Sequence, residues 1–414
     1  MRLVTSPPGR VPAVATGSRE RRFRELFRHR DFLVLWIAST QSQAGDQLGR
    51  VALSVLVFES TGSGIATAAT YALTYLPAVV GGVLLAGLAD RLPRRGLLVV
   101  CDLIRALVFA VMAIPALPLW LLCSLLVTAV LAGSPYGAAA PAIVADLFTA
   151  DAYVAAQGLR TASAQAAQVI GFAVGGVVVA AIGAHVTLAV DAATFAVGAL
   201  LLQFGMAARP AVVGATRSAG EQLRTGIRAV AGDRRLRILI GLTWLYAWWI
   251  IPEGLAAPYA AATGSGPVAV GFLLAAAPAG SLLGVLALTR WVPDGWRRRL
   301  LSVLAPASGL PLVACVGEPP VAVAVVLWAT SGVCTAYLVL VVPEFVAIVP
   351  ADVRGQAIGI AGSGLLAAQG VGLLVGGGLV AFWSVGTTIA VGGAIGVISA
   401  APLALAWHRA ATVP

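Results

Sequence analysis

With 414 residues, 59% hydrophobic, only 11% charged and a mean hydropathy of +0.94, the chain has too few charges to cover a water-soluble fold of its size, since soluble domains carry about 25%. Its net charge of +10 comes entirely from Arg. A basic surface can serve nucleic acid, but here the Arg gather in alternate connectors, the orientation signal of a membrane protein. The lipid bilayer is the expected partner and nucleic acid is not.

The first 30 residues are polar and carry Arg19, Arg21, Arg22, Arg24, Arg28 and Arg30. They lack the apolar core and small-residue cleavage site of a signal peptide and read as a cytoplasmic tail. Apolar runs then follow at 32–58, 65–86, 97–115, 119–142, 154–182, 185–206, 238–260, 268–290, 300–316, 321–346, 356–383 and 386–407. Each is near the roughly 20 residues that a membrane-crossing helix needs. The runs are continuous rather than alternating, so helices are expected rather than barrel strands. The expected fold is an all-α membrane protein of twelve transmembrane helices in two pseudo-symmetric six-helix bundles. Its parts are the tail (1–30), a first bundle (31–206), a cytoplasmic linker (207–237), a second bundle (238–407) and a C-terminal tail (408–414). Arg91, Arg94, Arg95, then Arg209 to Arg237, then Arg297 to Arg299, Arg354 and Arg409 mark one side, and the intervening connectors hold no Arg. Both termini are thereby placed in the cytoplasm of a multi-pass cell-membrane protein.

In the first span Ser39, Gln43, Asp46 and Arg50 fall on one helical face at steps of four, three and four. Asp46 stands roughly 20 Å along the helix and Arg50 one turn beyond. They are expected to pair along the helix, either as a fixed charge pair or as proton-coupling groups. Gln43 and Gln47 are cavity candidates. The next connector reads Gly87-Leu88-Ala89-Asp90-Arg91-Leu92-Pro93-Arg94-Arg95, by composition a turn with cytoplasmic charges. Asp102 and Arg105, early in the third span, are assigned to the same cytoplasmic charge network.

Gly158, Gly171, Gly175 and Gly176 in the fifth span read as a close-packing face, and Gly372, Gly376 and Gly377 repeat it in the eleventh. The repeat is wider than glycine. At one fixed offset Tyr136 meets Tyr337, Asp151 meets Asp352, and Ala166-Ala167-Gln168 meets Ala367-Ala368-Gln369. Two related halves in parallel orientation are a transporter architecture. Asp191 in the sixth span reads as helix packing with a hydrogen bond. Residues Glu221–Arg237 are amphipathic enough for a surface helix. The seventh span holds Trp244, Tyr246, Trp248 and Trp249, and Glu253 after Pro252. This reads either as core packing or as an aromatic cavity wall with one acid, fit for a bulky cationic drug; Glu253 joins Asp46 and Arg50 as a proton-coupling candidate. Cys101, Cys123, Cys315 and Cys334 lie in apolar runs without metal-like spacing. No catalytic constellation or phosphate-cradling loop is found, so neither an enzyme, a cofactor nor a metal site is expected.

Several of these segments resemble the major facilitator superfamily. The loop Gly87 to Arg95 is similar to its signature loop, with Pro93 where the family has Gly. The resemblance implies a conformational latch made by Asp90 and Arg94, with Gly87, Arg91, Arg95, Asp102 and Arg105 around it. The second copy, Arg290 to Arg299, has Leu288 opposite Asp90 and would be weaker. The fifth span is similar to the antiporter motif, departing from it at Ala167 and Phe172. The tail Phe27-Arg28-His29-Arg30-Asp31-Phe32, Gly45-Asp46, Asp102-Leu103-Ile104-Arg105 and Asp191-Ala192-Ala193-Thr194-Phe195 resemble the drug:proton antiporter branch, which includes macrolide and siderophore exporters. The family's Arg motif in the fourth span is missing, since 119–145 holds no Arg. What the resemblance implies is a monomeric secondary transporter whose partners are protons and a small-molecule substrate, exporting a hydrophobic drug, antibiotic or other metabolite. Alternatives are an importer or uniporter of the same fold, a siderophore exporter, and a non-transporting membrane receptor.

Overall fold

The computed structural model describes residues 26–85, 87–208 and 219–411. Arg19, Arg21, Arg22 and Arg24 of the tail and Arg209 and Arg217 of the linker lie outside the described residues. Among those described, the chain is helical without strands. The first half contains α1 (Arg30–Thr61), α2 (Gly64–Ala72), α3 (Leu76–Leu84), α4 (Leu88–Arg91), α5 (Arg94–Met112), α6 (Leu119–Leu147), α7 (Ala150–Ile182) and α8 (Ala184–Gly205). After α9 (Ala219–Gly232), the second half contains α10 (Arg234–Trp244), α11 (Tyr246–Trp249), α12 (Ile251–Gly254), α13 (Ala256–Ala262), α14 (Pro267–Trp291), α15 (Asp294–Ala307), α16 (Leu310–Val313), α17 (Val321–Thr335), α18 (Leu338–Ile348), α19 (Arg354–Leu379) and α20 (Val385–Ala411).

Local chemistry sets these boundaries. α1 ends where Gly62 takes a left-handed φ of 59° and its N–H donates to Phe58 O. Ser63 then caps α2 by accepting from Ala66 N at 3.2 Å. The second span is interrupted at 73–75, just ahead of Pro77, and the seventh is cut into α10 to α13 around Pro252 and Pro258. Proline removes a donor and clashes with the preceding turn. The amphipathic linker helix stops at Gly232, earlier than the expected Arg237. Asp233 accepts from Arg235 N at 2.6 Å and Leu236 N at 3.4 Å, so it caps a new helix, and Arg234, Arg235 and Arg237 open the seventh span.

Among the described residues nine helices are long and apolar enough to cross a membrane, and ten when the run from Arg234 to Ala262, bent by 43°, counts as one. The sequence expectation of twelve also included α1 and α5. At 32 and 19 residues both are long enough, but α1 carries Gln41, Gln43, Asp46, Gln47 and Arg50, and α5 carries Arg94, Arg95, Asp102 and Arg105.

α1 runs along α7 and α8, and α5 packs between α6 and α8. In the second half α14 packs on α17, α15 on α20, and α19 on α9 and on α2 and α3 of the first half. The α14–α17 crossing is reciprocal. Gly280 and Gly284 lie on the backbone of Ala329 and Val333, and Gly332 lies on that of Ala277. Such small-residue contacts let helix backbones approach where lipid supplies no hydrophobic drive. The named contacts between halves gather toward the end that bears the Arg-free connectors. There Gly176 meets Gly271, Gly377 meets Ala68, and Tyr71 meets Glu253.

Candidate functional site

The charged residues of α1, α5 and α8 converge inside the first half. Convergence depends on Gly45 and Gly49, which flank Asp46. A Cβ on Gly45 would stand 2.6 Å from Asp191 Oδ1, and one on Gly49 would stand 3.2 Å from Asp191 Cγ, so α8 can approach α1 closely only because both positions are bare. Arg105 Nη2 donates to both carboxylate oxygens of Asp46, at 2.7 and 2.6 Å, a charge-assisted pair. Its guanidinium lies 3.9 Å from the Phe195 ring centroid, and Phe195 stacks on Phe109. Asp102 is fully buried and neither of its oxygens has a hydrogen-bond partner; a Cβ on Gly198 would stand 3.0 Å from Asp102 Oδ2. Asp191, also fully buried, accepts from Thr194 Oγ1 at 3.3 Å, and its second oxygen has no partner. Arg105 is in Coulombic range of all three acids. Of the three acids, only Asp46 is bonded to the guanidinium.

This corrects two expectations. Asp46 pairs with Arg105 across helices rather than with Arg50 along its own. Arg50 instead donates to Tyr75 Oη at 3.2 Å and lies 5.4 Å from its ring centroid. Asp102 and Arg105 do not join the loop charges. Arg105 stands eleven residues past Arg94, roughly 16 Å further along α5, level with Asp46. The loop has its own ties. Arg94 pairs with Asp146 at the end of α6 and donates to Ala142 O at 3.3 Å, and Arg95 donates to Met206 O at 3.1 Å. Gly87, Asp90 and Arg91 are exposed. The second half has a similar tie, Arg298 Nε to Glu344 Oε1 at 2.7 Å between α15 and α18, although Leu288 stands opposite Asp90. Arg94→Gln is expected to lower stability by about 1 kcal/mol, because Asp146 is 40% exposed and exposed pairs are weak; thermal unfolding in detergent measures it.

Glu253 on α12 is 3% exposed and accepts from Tyr71 Oη at 3.3 Å. Tyr71 and Tyr75 lie with ring centroids 6.3 Å apart. A polar strut thus runs from Arg50 through two tyrosines to the second half. Tyr71→Phe leaves Glu253 buried without its donor, which typically costs about 1–3 kcal/mol, and the halves are expected to separate more readily at this end. Faster labelling of a cysteine placed at Ala68 checks it; unchanged labelling would refute the strut.

The seventh-span aromatics divide between the core and the surface. The breaks at Leu245, Ile250 and Leu255 end the face arithmetic of a straight helix. Trp249 is 3% exposed, with its ring against Gly309 and Gly396, and is core. Trp244 is half-exposed over Gly364, while Tyr246 and Trp248 are partly buried against the core. Gln47, a cavity candidate, is buried on Gly171 and donates to Gln43 O at 3.3 Å. Gly158, expected to pack, has nothing within 4 Å of where its Cβ would be. Gly171 and Gly175 meet Gln47 and Val51 of α1, Gly372 meets the Ala247 backbone, and Gly376 meets Ile251.

Two cavities of about 230 Å³ open in the first half. One is lined by Asp46, Arg50, Thr74, Arg105, Phe109 and Leu126. The other lies between α1, α6 and α7, lined by Trp36, Ser39, Gln43, Gln157, Arg160 and Thr161. Arg160 was missed in the sequence, although an Arg in the interior of an apolar run was its signal. Asp146 and the two tyrosines were also missed, having no signal outside their neighbours.

The model of the Major Facilitator Superfamily matches residues 35–256, which takes in the whole charged cluster and reaches Glu253. The chain belongs to the Major Facilitator Superfamily. Solved members of the same architecture lie across its length. A nucleoside transporter, NupG, aligns with a TM-score of 0.66 at 18% identity, over 92% of this chain and 99% of its own. A POT family transporter in complex with 5-aminolevulinic acid gives 0.72 at 11%, over 92% and 96%. A bacterial homolog of the human lysosomal transporter Spinster gives 0.71 at 15%, over 91% and 96%. At these identities the likeness concerns the fold. No curated protein matches the chain. As a Major Facilitator Superfamily protein the chain is a multi-pass membrane transporter, and its charged cluster lies in the half that the family model covers most fully.

Proposed function

We propose that this transporter couples export of a largely apolar small organic molecule to the inward flow of protons across the cell membrane. In this reading α1 and α5 also cross the bilayer, giving twelve spans in two six-helix bundles, 31–206 and 238–407, with both termini cytoplasmic. The Arg-bearing connectors support that orientation. The contacts between halves then lie at the outer end and the interior opens toward the cytoplasm. The protein works as a monomer.

The observation that carries proton coupling is the Asp46–Arg105 pair beside a cavity, with Asp102 and Asp191 around the same guanidinium. Ionisable groups inside a membrane are costly and mark ion pathways. When Asp46 takes a proton, its pair with Arg105 dissolves. Arg105 then keeps the Phe195 ring beneath it and Asp102 and Asp191 in Coulombic range. Loss of the pair loosens α1 from α5, and Arg50, one turn from Asp46, transmits the change through Tyr75, Tyr71 and Glu253 to the other half. Asp90, Arg94 and the residues around them serve as the latch at the cytoplasmic end, where Arg94 exchanges Asp146 for partners in the second half as that end closes. The test is transport in proteoliposomes under an imposed pH gradient. Substrate movement that ignores the gradient refutes coupling, and uptake in the direction of proton flow makes the chain an importer.

A further inference from the structure

The cavity between α1, α6 and α7 shares no lining residue with the coupling cluster, and its chemistry is different. Arg160 lies about a third of the way along α7, ten residues from its start. Its Nη1 donates to Gln157 Oε1 at 2.9 Å, and Gln157 Nε2 in turn donates to Tyr153 Oη at 3.3 Å. The amide of Gln157 is thereby turned with its oxygen on the guanidinium. Arg160 Nε is buried and has no partner, and Nη2 has none among the described residues. No carboxylate among the described residues pairs with Arg160, whereas Arg105 has Asp46. A cation inside the membrane without a counter-charge is expensive, and neither packing nor coupling accounts for it.

The surroundings fit a particular guest. Gln43 supplies an amide, and Ser39 Oγ and Tyr136 Oη lie 3.0 Å apart. Trp36, partly exposed, is held by its Nε1 donating to Ser163 Oγ at 2.9 Å, which fixes an indole face beside the cation. A guanidinium that lines a cavity and has no carboxylate partner among the described residues matches a carboxylate guest, and an indole face takes a flat apolar body.

We propose that this cavity binds the substrate of the transporter as an organic acid, its carboxylate on Arg160 and its apolar body along Trp36. The inference rests on the transport reading above. Gln157 is a positioning residue that orients Arg160.

The test uses the full-length protein in detergent and follows thermal unfolding with naphthoate, naphthylacetate and dansyl-glycine, each against its methyl ester and against naphthylmethylammonium. The acids at saturating concentration are expected to raise Tm by about 3 °C or more, and the esters and the ammonium to leave it unchanged. Arg160→Gln removes the response and Arg160→Lys restores part of it. Should Arg160→Gln not be obtained folded, Gln43→Leu reads the same site from α1 and is expected to weaken it. Esters or ammonium that match the acids, acids without effect, or an Arg160→Gln protein that still responds overturns the proposal. The thermal shift reads binding with no gradient present, whereas the proteoliposome assay reads coupling. A failure of coupling and a failure of this site are therefore seen separately.

Discussion

Asp46→Asn is expected to remove proton-driven accumulation while leaving the fold nearly as stable as before. The amide keeps the shape of the carboxylate and can still accept from Arg105, but it cannot take up or release a proton. Arg105 keeps Asp102 and Asp191 within Coulombic range and still donates to the amide oxygen, so the change weakens one charge-assisted hydrogen bond, at a cost of about 1–3 kcal/mol. Arg105→Leu contrasts with it. Two fully buried carboxylates, Asp102 and Asp191, would then share the interior with Asp46 and no cation. Breaking a buried pair in this way costs about 3–5 kcal/mol. In proteoliposomes the Asn variant should equilibrate substrate across the membrane but fail to concentrate it under a pH gradient, and its Tm should lie within a few degrees of wild type. Undiminished accumulation would place the coupling proton elsewhere, with Glu253 the first alternative. A collapse of Tm in Asp46→Asn, with Arg105→Leu unaffected, would reverse the assignment of which group holds the cluster together.

Gly332→Leu is expected to have the largest structural effect of any single substitution in the second half. A Cβ on Gly332 would stand 2.9 Å from Ala277 Cα, and backbone cannot rotate away as a side chain can. α14 and α17 would have to move apart along their whole crossing, which also lifts Gly280 from Ala329 and Gly284 from Val333. Overpacking of this kind costs about 1–3 kcal/mol and occasionally more, and three contacts fail together here. The folded yield in detergent should fall sharply for Leu and less for Ala. Size-exclusion profiles and thermal unfolding of the two variants measure it; wild-type behaviour of Gly332→Leu would mean that the crossing has slack.

The helical spans were legible in the sequence to within a few residues at most ends, because continuous apolar runs and Pro or Gly punctuation are local signals. α14, expected at 268–290, runs Pro267–Trp291. That Asp46 would need a basic partner was also legible, since a carboxylate in an apolar run is conspicuous. The identity of that partner was not. Helical-face arithmetic sees only residues on the same helix and therefore chose Arg50, whereas Arg105 comes from α5, brought alongside by the packing of both helices on α8. The same limitation put Asp102 and Arg105 with the loop that precedes them and passed over Asp146, Tyr71 and Tyr75. In the seventh span Pro252 was visible, but the further breaks at Leu245 and Ile250 were not.

Where α7 crosses α14, Gly176 and Gly271 touch by main chain alone, a Cβ on Gly176 standing 2.8 Å from Gly271 Cα. Knobs that sit in holes must change rotamer before helices can shift, but bare glycine surfaces carry no knobs. This junction therefore behaves as a bearing rather than a bolt, on which one half can roll over the other without unpacking. The force that keeps this end shut must come from elsewhere, and the polar strut at Tyr71 and Glu253 is positioned to supply it. A transporter built this way spends its conformational barrier on a few polar bonds that chemistry can switch, and almost none on friction.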